Sequence, residues 1–117
     1  MKARLVAFGV IEIEGQRYEH DVVLDAGRVR KRRKGPSKAL RDRYGHTPLS
    51  AAEDIPWGGS RLIVGTGADG RLPIAPEVAN EARRRGVELI ILPTPEACEL
   101  LRDLKGGEIF AILHATC

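Results

Sequence analysis

The hydrophobic pattern changes character along this chain. Leu5-Val6-Ala7-Phe8-Gly9-Val10-Ile11 is apolar on both faces and then alternates through Glu12-Ile13-Glu14, which predicts a strand leaving the core. Gly15-Gln16 supplies a turn, and Arg17-Tyr18-Glu19-His20-Asp21-Val22-Val23-Leu24 returns with a period of two. Asp25-Ala26-Gly27 turns the chain again into Arg28-Val29-Arg30-Lys31-Arg32-Arg33, so the first third reads as an antiparallel meander.

Residues 34–60 are the least regular. Lys34-Gly35-Pro36-Ser37 breaks the strand, and Ser37 is placed to cap a short helical turn through Tyr44. Ser50-Ala51-Ala52-Glu53 has capping-box spacing, but Pro56 and Gly58-Gly59 limit that helix to one or two turns.

From residue 61 the period alternates between strand and helix. Arg61-Leu62-Ile63-Val64 is a short apolar strand ending in Gly65-Thr66-Gly67. Pro76 opens a helix through Arg85, and Gly86 suits its C-terminal end. Val87-Glu88-Leu89-Ile90-Ile91-Leu92 is a strand expected to be buried on most sides. Thr94-Pro95 begins a second helix, in which Ala97, Cys98, Leu101 and Leu104 recur at helical spacing. Gly106-Gly107 ends it before a final strand over Glu108–His114. Strand, helix, strand, helix, strand implies parallel pairing. The expected fold class is therefore α/β: an N-terminal antiparallel meander plus a βαβαβ unit, in a single domain over residues 1–117.

Composition narrows the function classes. An apolar content of 43% with 30% charged residues is that of a globular domain, which excludes disorder. No apolar stretch approaches the roughly 18 residues of a membrane span. The opening Met1-Lys2-Ala3-Arg4 and its apolar sequel run into Glu12 and Glu14 without a cleavage site, so a strand is expected there and no signal peptide. Two cysteines, Cys98 and Cys117, are too few for a disulfide scaffold and lack paired ligand spacing, which sets the expectation of a reducing, cytoplasmic location. No membrane partner and no cofactor are expected.

Charge is more informative in its distribution than in its total of +3. Arg28, Arg30, Arg32 and Arg33, with Lys34, Lys38, Arg41 and Arg43 nearby, form a basic run that can serve as an interface for an acidic protein or as a solvated edge that resists aggregation. Only 4% of the residues are aromatic, so no stacking platform for RNA is available and nucleic acid is not an expected partner.

Candidate chemistry concentrates near the C-terminus. Gly65-Thr66-Gly67-Ala68-Asp69-Gly70 literally matches a dinucleotide fingerprint, but Pro73 and Pro76 delay the helix and the acidic residue expected at the end of the next strand is absent. Two readings stay open for it: a tight turn, or backbone amides of Gly65, Thr66 and Gly67 cupping a small anion, with His114 and Cys117 close by. His114 and Cys117 are separated so that an extended strand puts them on opposite faces, and joint catalysis then needs a bend. His20 can meet His114 across a sheet, without a third metal ligand in sight. Cys98 belongs on the apolar helix face.

Phe8-Gly9, Tyr18 through Val23, Leu62 through Gly67, Pro93-Thr94-Pro95-Glu96-Ala97 and the ending Leu113 through Cys117 run in order over nearly the whole chain. In these stretches the sequence resembles a small-domain family that includes the adipogenesis-associated domain-containing protein and a mitochondrial complex I assembly factor. The resemblance implies a layered fold, with helices on a mixed sheet and a smaller antiparallel sheet beside it. It implies no established catalytic residue or cofactor. The functional expectation is a non-enzymatic module that binds or assembles with an unidentified protein. The alternative is a small-anion binding protein or enzyme with its pocket at Gly65–Gly67 near His114.

Overall fold

In the computed structural model, which describes residues 1–117, the first apolar run does not form one strand. It breaks at Phe8-Gly9 into β1 (Ala3–Ala7) and β2 (Val10–Ile13), which pair antiparallel with Ala7 opposite Val10. Gly9 has φ 88°, a left-handed conformation that permits so abrupt a reversal, and Phe8 at the tip is 65% exposed. The second expected strand divides as well. β3 (Gln16–Tyr18) completes a small sheet in the order β1-β2-β3; beyond Glu19-His20-Asp21 the chain enters a larger sheet as β4 (Val22–Asp25). A meander is thus present, but its strands differ from those expected: β5 (Arg28–Lys31) pairs with β4 in the larger sheet. The reason is that Val22-Val23-Leu24 is apolar at successive positions and needs cover on both faces.

A 3-10 segment over Gly35–Leu40 leads into the single-turn α1 (Arg41–Tyr44). Ser37 caps neither, because it is buried and bonded elsewhere. The capping-box residues form a turn instead of a helix: the Glu53 amide donates to the Ser50 carbonyl at 3.2 Å, while both side chains point to other partners.

The βαβαβ unit follows as expected, with β6 (Arg61–Gly65), α2 (Pro76–Arg85), β7 (Glu88–Leu92), α3 (Thr94–Leu101) and β8 (Phe110–Leu113). β6 pairs in parallel with both β7 and β8, and β8 pairs antiparallel with β4. The larger sheet is therefore mixed, in the order β5-β4-β8-β6-β7. β7 departs from expectation. It is an outer strand with a solvent-facing side, and Ile91 is 47% exposed.

Successive residues of the inner strands serve two cores. Val22, Leu24, Ile63, Ala111 and Leu113 pack with Ala97, Cys98 and Leu101 of α3 and with Ile11 and Ile13 of the small sheet. Val23, Leu62, Val64 and Ile112 face the other way, against Val78 of α2 and against Leu49, Ile55 and Leu72 from the connecting segments. This is the period-two alternation of a sheet buried on both sides. It also explains why these strands read as unbroken apolar runs. Cys98 lies in the first core as expected, and burial there pushes its thiol up to about 11, which leaves it unreactive. No helix is long and apolar enough to cross a membrane.

Candidate functional site

The register of β4 places the candidate site. Val22 lies opposite Lys31 of β5 and opposite Leu113 of β8. One residue further along the same register, Asp21 faces Arg32 on one side and His114 on the other. All three have the parity of Val23, Arg30 and Ile112, so they emerge on the second-core side at the ends of their strands. Asp21 Oδ2 accepts from Arg32 Nη1 at 2.9 Å and from His114 Nδ1 at 2.8 Å, while Oδ1 accepts from the Ala115 amide at 2.7 Å. Burial works to raise the Asp21 carboxyl, but the hydrogen bond and charge of His114, the Ala115 amide and Arg32 outweigh it and hold the group down at about 2.

Arg32 anchors this arrangement from below and is only 4% exposed. Its Nε and Nη2 donate to Glu53 Oε1 and Oε2, each at 2.8 Å, and Nη2 also donates to the Pro48 carbonyl at 3.0 Å. The Ser37 hydroxyl donates to Glu53 Oε2 at 2.6 Å, so the Ser50 hydroxyl is the donor in its own 2.6 Å contact with Ser37. Every buried side-chain nitrogen and oxygen finds a partner. Desolvation opposes the charge on Arg32, yet the bonds to Glu53 and Asp21 raise its pKa above the ordinary value.

His114 is half-buried at the end of β8. Asp21 is a pure acceptor in its ionised form, so Nδ1 is the protonated nitrogen of His114 that faces it. Nε2 lies 3.2 Å from the Thr116 hydroxyl, and in the neutral ring with its proton on Nδ1 it accepts from that hydroxyl.

Two depressions meet at this histidine. The first, with a volume of about 240 Å³, is lined by Lys34, Arg41, His46, Arg71, His114, Thr116 and Cys117, among others. The second, about 280 Å³, lies towards Glu19, His20, Asp21 and Lys31 and shares Arg32, Lys34, His114 and Thr116 with the first. Arg32 is committed to Glu53 and Asp21, whereas Lys34, Arg41 and Arg71 have no carboxylate within ion-pair distance. The first depression therefore gathers Lys34, Arg41 and Arg71, none of them in an ion pair, around an imidazole, a hydroxyl and Cys117, whose backbone oxygen accepts from the Arg71 amide at 2.9 Å. No group of three or more His, Cys, Asp or Glu side chains converges as metal ligands.

The residues singled out in the sequence fall into three groups. Gly65, Thr66 and Gly67 do meet the C-terminal segment. The His114 amide donates to the Gly65 carbonyl at 2.9 Å, and the Thr94 hydroxyl accepts from the Gly67 amide at 2.8 Å while donating to the His114 carbonyl at 2.7 Å. These contacts overturn the anion cup. The amides of Thr66, Gly67, Ala68 and Arg71 donate to Leu92, Thr94, Thr116 and Cys117 in turn, and Gly65–Gly67 line neither depression. His114 and Cys117 do line the first depression.

Among the basic residues, Arg32 must be withdrawn from the expected interface. Asp21 and Glu53 draw it into the fold. Arg28 and Arg33 are exposed on or beside the outer strand β5, and Arg30 donates to the Asp54 carbonyl at 2.7 Å. His20 and His114 border the second depression together, but His20 Nδ1 pairs with the Asp21 carbonyl oxygen at 2.9 Å and not with His114. Sequence reasoning missed Arg71, His46 and Thr116. In the sequence Asp21 is only one position of the second strand, whereas the antiparallel registers around β4 set it against Arg32 and His114.

Comparison with known proteins agrees with this fold. A family described as a protein of unknown function, DUF498/DUF598, matches residues 4–114. The crystal structure of the conserved hypothetical protein PH1505 from Pyrococcus horikoshii OT3 is 34% identical, with 100% of each chain covered and a TM-score of 0.76. The solved structure MT938, at 24% identity over 95% of this chain and 94% of its own, shares the fold with a TM-score of 0.66. No curated protein matches the chain. With a family match over almost all of its length and a full-length relative of the same architecture, the chain belongs to the DUF498/DUF598 family.

Proposed function

We propose that the depression beside His114 is a binding site for a compact, multiply charged anion such as a phosphate group, in a protein of cytoplasmic location. The observation that carries this reading is the convergence of Lys34, Arg41 and Arg71 on one cavity with none of the three in an ion pair. Cations held in a concave site repel one another, and that cost is offset when an anion sits among them. The expected result is saturable stabilisation by inorganic phosphate at constant ionic strength, reaching about 2.7 kcal/mol at a hundred times the dissociation constant. Arg71→Ala and Lys34→Ala should each weaken it. A melting temperature of the parent protein that ignores phosphate would remove the reading.

A second reading rests on a different observation. β5 is the outer strand of the larger sheet, with Arg28 and Arg33 exposed, a surface suited to an acidic protein partner. The resemblance to a family containing an assembly factor points the same way, towards an assembly module. Arg28→Ala/Arg33→Ala should weaken capture of an acidic partner without changing the melting temperature. Undiminished capture would discard this edge as an interface.

A further inference from the structure

The anion cavity ends against a hydroxyl that is already bonded to a base. His114 Nε2 meets the Thr116 hydroxyl at 3.2 Å, and its Nδ1–H is held by Asp21 at 2.8 Å. Asp21 is fixed in turn by Arg32 and by the Ala115 amide. A nucleophilic hydroxyl, an imidazole base and an orienting carboxylate in this sequence are the parts of an acyl-transfer site, with threonine in the place more often taken by serine. The amides of Thr116 and Cys117 donate to no backbone acceptor. Amides on the nucleophile itself and on the following residue are where such sites find donors for a developing oxyanion.

The neighbouring cations restrict the substrate. It must bring a carbonyl carbon to Thr116 while a second, multiply charged part rests by Lys34 and Arg71. We propose that Thr116 is the nucleophile of a hydrolase for acyl phosphates, the mixed anhydrides of a carboxylic acid and phosphate, with His114 as base and Asp21 as positioning residue. This rests on the anion reading of the same cavity.

Thr116 Oγ1 bonds to the carbonyl carbon and its proton passes to His114 Nε2. The bond from that carbon to the bridging oxygen breaks, and phosphate leaves with the proton from His114. Water then attacks the acyl-threonine ester, again losing a proton to His114, which returns it to Thr116 Oγ1. The products are a carboxylic acid, which ionises, and phosphate. No oxidant, reductant or cofactor enters the balance.

The test uses acetyl phosphate as the probe, with its disappearance followed in 18O-labelled water. The expected result is hydrolysis above the buffer rate, with the label in acetate, because the carbon–oxygen bond is the one broken. Thr116→Ala should lower the rate by roughly a hundredfold or more, and Thr116→Ser should retain it in large part. Asp21→Asn should lower kcat at an unchanged KM. Thr116→Ala should melt like the parent protein and keep its stabilisation by inorganic phosphate, which separates loss of chemistry from loss of fold or of binding. Label in phosphate, a Thr116→Ala variant as active as the parent, or no hydrolysis by the parent would each overturn the proposal. If the parent is still stabilised by phosphate, the anion reading survives that outcome.

Discussion

Replacing Arg32 with methionine probes the structure most severely, because the side chain keeps its volume and loses its charge. Four hydrogen bonds disappear: two to Glu53, one to Asp21 and one to the Pro48 carbonyl. Glu53, whose side chain is 3% exposed, is left with the Ser37 hydroxyl alone, and a buried carboxylate without a counter-charge is costly. Breaking a buried pair from one side costs about 3–5 kcal/mol, against a total stability of about 5–15 kcal/mol for a domain. At roughly 4 °C per kcal/mol for a chain of this size, the melting temperature should fall by about 12–20 °C. Urea and thermal unfolding at neutral pH measure this directly.

Two further readouts make the reasoning specific. Arg32→Met/Glu53→Met should recover part of the loss, since no unpaired charge then remains. In Arg32→Met alone, Glu53 is a buried carboxylate without a counter-charge, and burial penalises the charged form. The variant's deficit should therefore shrink as the pH falls towards the unfolded carboxyl value and grow as it rises. A variant melting within about 2 °C of the parent would refute the account of a buried ion pair that the fold depends on.

The remaining predictions concern the site's supports. Gly67 has φ 105°, and a Cβ there would stand 2.4 Å from the Cys117 carbonyl carbon, so Gly67→Ala should destabilise by several kcal/mol and displace the C-terminal segment; an unchanged urea midpoint would contradict this. Asp21 is held at about 2 against an ordinary 3.8, a depressed carboxyl whose contribution of roughly 2 kcal/mol is present above the unfolded value and lost as the pH falls through the folded one. Asp21→Asn should flatten that part of the acid unfolding curve, and parallel curves for parent and variant would count against it.

The βαβαβ half was legible because its signals are local. Pro76 and Gly86 mark the ends of α2, and the apolar spacing through Leu101 marks the buried face of α3. The N-terminal half was less so, because two strands that each looked continuous are cut by Phe8-Gly9 and by Glu19-His20-Asp21, and local period does not say which sheet a segment joins. The site was half visible. The meeting of the Gly65 turn with the last residues followed from parallel pairing, but the side of the C-terminal segment on which a ligand would sit did not. Arg32 stood in a run of cations that looks uniformly solvated. Glu53, brought in by a loop that follows no periodic rule, and Asp21 on the neighbouring strand's end distinguish it from Arg28.

β8, which follows every other strand in the sequence, lies at the centre of the larger sheet between β4 and β6. During synthesis the β4–β5 hairpin and the β6–β7 pair must therefore wait, each with a bare edge, until the ribosome has released this strand. Nonsense codons or proteolytic nicks that remove it would do more than shorten the protein. They would leave two unclosed half-sheets with open hydrogen-bonding edges, which are substrates for chaperones or seeds for aggregation.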